Sequence, residues 1–88
     1  QTMPREALGR LLEDLAAQLE QADALDEADR AALEQLHGRI GAALASDADS
    51  AEGSGEAVAD LIDRFETSHP TLTMTLGRIM DALNKLGI

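Results

Sequence analysis

The chain has 88 residues, with 17 acidic and 7 basic side chains, a formal charge of −10 and no cysteine. That length holds one small domain, and that charge argues against nucleic acid and anionic membrane surfaces as partners. Without thiols there is neither a disulfide framework nor a thiolate metal site or nucleophile.

The apolar side chains are 14 Leu, 16 Ala, 4 Ile, 3 Met, 1 Val and 1 Phe. Leucine and alanine favour helices, and strand-forming residues are nearly absent, so the sequence predicts an all-α fold. No apolar run approaches the ~20 residues of a membrane span, and no signal-peptide pattern is present. A soluble cytoplasmic protein is therefore expected. Gln1-Thr2 ahead of Met3 reads as a vector remnant, which leaves a single helical domain over 3–88.

Leu8, Leu11, Leu12, Leu15, Leu19 and Ala22 recur three and four apart and predict a first helix over 4–22, with Pro4 in its first turn. The tight link Asp23-Ala24-Leu25-Asp26 should fold a second helix, 26–45, back on it as an antiparallel hairpin. Asp26 suits the N-cap, and Leu33, Leu36, Ile40, Ala43 and Leu44 mark the buried stripe. Gly38 and Gly41 lie in a second stripe of small residues. They read either as a close approach by another helix or as tolerated surface positions.

Residues 46–55 read as a flexible acidic linker. Asp47, Asp49 and Glu52 invite a calcium-loop reading, but Ala51, Glu52 and Val58 occupy the fifth, turn-glycine and bidentate positions, so no metal site is expected.

A third helix is predicted over 56–67, with Val58, Leu61, Ile62 and Phe65 on one face. Pro70 disfavours helix at His69, so Ser68-His69-Pro70 is expected to be a turn joining helices 3 and 4, with Ser68 as the cap. The fourth helix, 70–86, carries a heptad-like seam of Leu72, Leu76, Ile79 and Leu83, widened by Met80, and ends at Gly87. The whole is a small bundle of four helices. Phe65, Ser68, His69, Pro70 and Gly87 are expected to be structural.

No catalytic constellation emerges. His37 follows Glu34 by three residues in no recognisable zinc pattern. Ser68 and His69 are neighbours in sequence without the third group of a triad. Glu13, Asp14, Asp60 and Asp63 belong to solvated helix faces. Arg10, Arg39, Arg64 and Arg78 could converge on an anionic metabolite, although the net charge opposes one.

The motifs Leu11-Leu12-Glu13-Asp14-Leu15, Leu25-Asp26-Glu27-Ala28-Asp29-Arg30, Arg64-Phe65-Glu66-Thr67-Ser68-His69-Pro70 and Asp81-Ala82-Leu83-Asn84-Lys85-Leu86-Gly87-Ile88 resemble a family of small acidic bacterial proteins, domain-of-unknown-function family 4404. The resemblance spans residues 3–88. It implies a bacterial cytoplasmic protein and assigns no activity, ligand or catalytic residue.

The sequence thus leads to a non-enzymatic, self-associating protein–protein interaction module without cofactor. Its expected partners are a second copy through Leu72, Leu76, Ile79, Met80 and Leu83, and a protein yet to be identified; the competing reading of that stripe is core consumed by helices 1–3 within one subunit. An acidic mimic or antitoxin-like inhibitor of a basic site is the alternative reading, and a small helical metabolic enzyme the remoter one.

Overall fold

A computed structural model describes residues 4–22, 25–45 and 53–86. They form α1 (Pro4–Gln21), α2 (Glu27–Ala45), α3 (Ser54–Phe65) and α4 (Pro70–Leu86), with no strand among the described residues. Each helix packs on the next, and α4 closes the ring by packing on α1.

Pairwise contacts give the directions. Arg5 donates to the Leu44 carbonyl, His37 meets the Leu12 carbonyl and Arg30 reaches Leu19, so α1 and α2 run antiparallel. Asp29 of α2 meets Arg64 near the end of α3, and Gln18 of α1 meets Thr75 of α4. The result is an up-down-up-down bundle, the arrangement short connections favour.

The core takes one stripe from each helix: Leu8, Leu12, Leu15 and Leu19 from α1, Leu33, Leu36 and Ile40 from α2, Val58, Leu61 and Phe65 from α3. From α4 come Leu72, Leu76, Ile79 and Leu83. Fully burying one such side chain contributes about 1.5–3 kcal/mol, so a bundle this small depends on every helix supplying its stripe.

Local chemistry sets the helix ends. The Asp26 carbonyl accepts from Arg30 N at 3.0 Å, and its carboxylate lies 3.4 Å from Asp29 N, as an N-cap requires. Arg30 Nη1 and Nη2 donate to the carbonyls of Leu19 and Ala22 at 2.6 and 2.8 Å, satisfying acceptors that the end of α1 leaves open.

Two expectations require correction. α3 begins at Ser54 rather than 56, because Gly53 takes a left-handed conformation (φ 85°) that turns the chain into the helix and lets its carbonyl accept from Ala57 N at 3.2 Å. α3 ends at Phe65 rather than 67, and 66–68 form the turn. Of the two readings of the small-residue stripe of α2, a close approach is not seen among the described residues: outside the adjoining backbone of α2, none of their atoms lies within 4 Å of a Cβ built on Gly38 or Gly41. Residues 46–52, with the carboxylates weighed as a calcium loop, and Gly87 lie outside the described residues.

Candidate functional site

The expected interface on α4 is the interior of the bundle. Leu76, Ile79 and Leu83 are 0% exposed and Leu72 is buried, all within a single chain. Met80 is half-buried against the same core. The correction has a simple geometric cause. With α1 and α3 on either side, α4 is the helix most enclosed by its neighbours, and they consume its seam.

The other singled-out residues have structural surroundings. Phe65 is buried, and the His69 ring stands edge-on to it at 5.5 Å and 71°. His69 N donates to the Phe65 carbonyl at 2.8 Å, and the His69 carbonyl accepts from Thr73 N and Thr73 Oγ1 at 3.1 and 3.2 Å. With Pro70 as the first residue of α4, the cap position falls on His69. Ser68 stands one residue too early to cap, and its side chain is exposed. His37 Nε2 lies 3.1 Å from the Leu12 carbonyl; a carbonyl only accepts, so Nε2 carries the proton there.

The end of α3 also meets the start of α2. Arg64 Nε pairs with Asp29 Oδ1 at 3.3 Å. Desolvation, and then the neighbouring Asp26 carboxyl, hold Asp29 above the ordinary carboxylate range, while Arg64 and His69 pull it down. No group of three or more His, Asp or Glu side chains among the described residues is placed to hold a metal.

Hollows lined by described residues indent the surface. One of about 410 Å³ lies between α2 and α3, beside Arg39 and Asp60. Another, of about 300 Å³, lies where α1 ends against the Ser68–Leu72 turn. A wider one, about 700 Å³, is an open groove between α1 and α4.

The groove gains its character from the outer face of α4. Met74, Arg78, Asp81 and Lys85 follow one another at four, three and four residues, so they share a side of the helix opposite the seam. Met74 is 61% exposed and is the one large hydrophobic residue so placed among the described residues. Leu11 and Ala7 of α1 complete the apolar floor with Ala82, and Arg10 stands on the α1 side.

Most cations of the chain are already committed. Arg5 and Arg30 bind carbonyls, Arg64 binds Asp29, and Lys85 pairs with Asp81 at 3.2 Å. Arg10, Arg39 and Arg78 make no ion pair or hydrogen bond with a described residue; Arg39 stands at the hollow between α2 and α3, whereas Arg10 and Arg78 line this groove together. The outer spacing of α4 was present in the sequence; the convergence of Arg10 with Arg78 required knowing that α1 and α4 are neighbours.

Fold and site define a four-helix antiparallel bundle bearing one apolar, cation-flanked groove. The sequence model for Domain of unknown function (DUF4404) matches residues 8–88, and the chain belongs to that family. No curated protein and no solved structure matches the chain. No helix of the described residues is long and apolar enough to cross a membrane.

Proposed function

We propose that this protein is a non-enzymatic helical interaction module that binds another polypeptide through the groove between α1 and α4. One observation carries the reading: in a chain of charge −10, two uncommitted arginines line the same apolar groove as the exposed Met74. Seventeen carboxylates are available to neutralise seven cations, so the convergence of two of the three unpaired arginines beside exposed apolar surface is the pattern of a binding face.

The self-associating form of the reading draws less support, because the seam expected to mediate it is buried within a single chain. The acidic-mimic reading draws less support, because exposed carboxylates are distributed over all four helices, among them Asp14, Glu34, Asp63 and Asp81.

The test is affinity capture from the native host with wild type, Met74→Glu and Ala31→Glu, the last on the exposed face of α2. Loss of a specific partner with Met74→Glu alone is expected. Equal retention by both variants would contradict the assignment.

A further inference from the structure

We propose that the groove between α1 and α4 receives an amphipathic helix of another protein whose apolar stripe is flanked by carboxylates. The inference rests on the reading of that groove as the interaction site, and it specifies the chemistry of the occupant.

Shape argues for a helix. The groove is open and bounded by two antiparallel helices, so a third helix laid along it would meet an apolar floor formed by Leu11, Met74 and Ala82. Gly77 lies in that floor, and outside the adjoining backbone of α4 no atom of a described residue stands within 4 Å of a Cβ built on it, so an incoming backbone can approach closely there. A small anionic ligand would instead call for a more enclosed cavity that covers most of its surface.

Charge selects the flanks of that helix. Arg10 on one side and Arg78 and Lys85 on the other give three cations against the single carboxylate of Asp81. Asp81 is paired with Lys85 at 3.2 Å, which leaves Arg10 and Arg78 to meet carboxylates of the occupant. The same charges disfavour a second copy. A two-fold contact would set each cationic groove against its own equivalent. A nucleic-acid backbone would meet the repulsion of the whole chain, at −10.

The experiment titrates the 15N-labelled full chain with two designed helical peptides. They share one leucine stripe at i, i+3, i+4 and i+7; one is flanked by Glu and the other by Gln. The Glu peptide should shift the Gly77 and Ala82 amides saturably and bind more tightly than the Gln peptide. Arg78→Glu should weaken it about ten-fold, and Arg39→Glu, the same charge change outside the groove, less than about two-fold. Circular dichroism of each variant confirms that these exposed substitutions leave the bundle folded.

Equal binding of the two peptides in the groove would overturn the acidic-flank inference while sparing the groove. A wild-type dimer that Arg78→Glu converts into a folded monomer would likewise overturn it, by naming a second copy as the occupant. No shift in the groove with either peptide, and no change in association, would remove both the inference and the reading beneath it.

Discussion

Gln18 of α1 and Thr75 of α4 join the two helices that frame the groove: Gln18 Nε2 donates to Thr75 Oγ1 at 2.8 Å. The hydroxyl proton of Thr75 is then free for the Thr71 carbonyl, 3.3 Å away and one turn back. A buried threonine in a leucine core is thereby satisfied on both sides.

Thr75→Val keeps the shape and removes both bonds, and should cost about 1 kcal/mol. Gln18→Leu alone should cost a similar amount by leaving the Thr75 hydroxyl short of a donor. If the pair interacts as placed, the double variant costs less than the sum in chemical denaturation. Strict additivity would show that the bond does not form in solution.

Phe65 is the single aromatic residue and is 1% exposed, packed in the core and against the His69 ring. Phe65→Ala should cost about 3–5 kcal/mol, a large part of the stability of a domain this small. The expected result is a chain largely unfolded at ambient temperature by circular dichroism.

The Ser54 hydroxyl is buried at the start of α3 without a hydrogen-bond partner among the described residues. Burying an unpaired hydroxyl is unfavourable, so Ser54→Ala should leave stability unchanged or raise it by about 1 kcal/mol. A clear fall in the melting temperature would mean that the hydroxyl finds a partner.

The Asp26 carboxyl is one cause of the raised Asp29 pKa. A carboxyl whose folded pKa lies above its unfolded value binds its proton more tightly in the folded state. Its stabilising contribution is complete below the unfolded pKa and is lost as pH rises through the folded one. Asp26→Asn keeps a good N-cap and removes the neighbouring charge, so Asp29 should titrate lower, and that part of the pH dependence should shrink. Carboxyl-carbon NMR titration reads this directly; an unchanged Asp29 would assign the shift to desolvation alone.

The fold was legible wherever periodicity and a punctuating residue coincided. The leucine spacing of α1 and α2, the Asp26 cap and Pro70 at the head of α4 appear as the sequence predicts. Contacts between distant residues were not legible. Nothing in the pattern shows that Arg30 caps the end of α1, or that Arg10 and Arg78 share a groove. On α4 both faces could be read from spacing, but periodicity does not say which one the bundle consumes. The more apolar face went inward, as burial energetics require, and left Met74 and its charged neighbours outside.

The most direct test is photo-crosslinking in the native host from a reactive residue placed at position 74, compared with the same residue at position 31 on the outer face of α2. A discrete heterologous product from position 74, absent from position 31 and lost with Arg78→Glu, is the expected result. Equal products from both positions, or none from position 74, would contradict the assignment of the α1–α4 groove as the working surface of this protein.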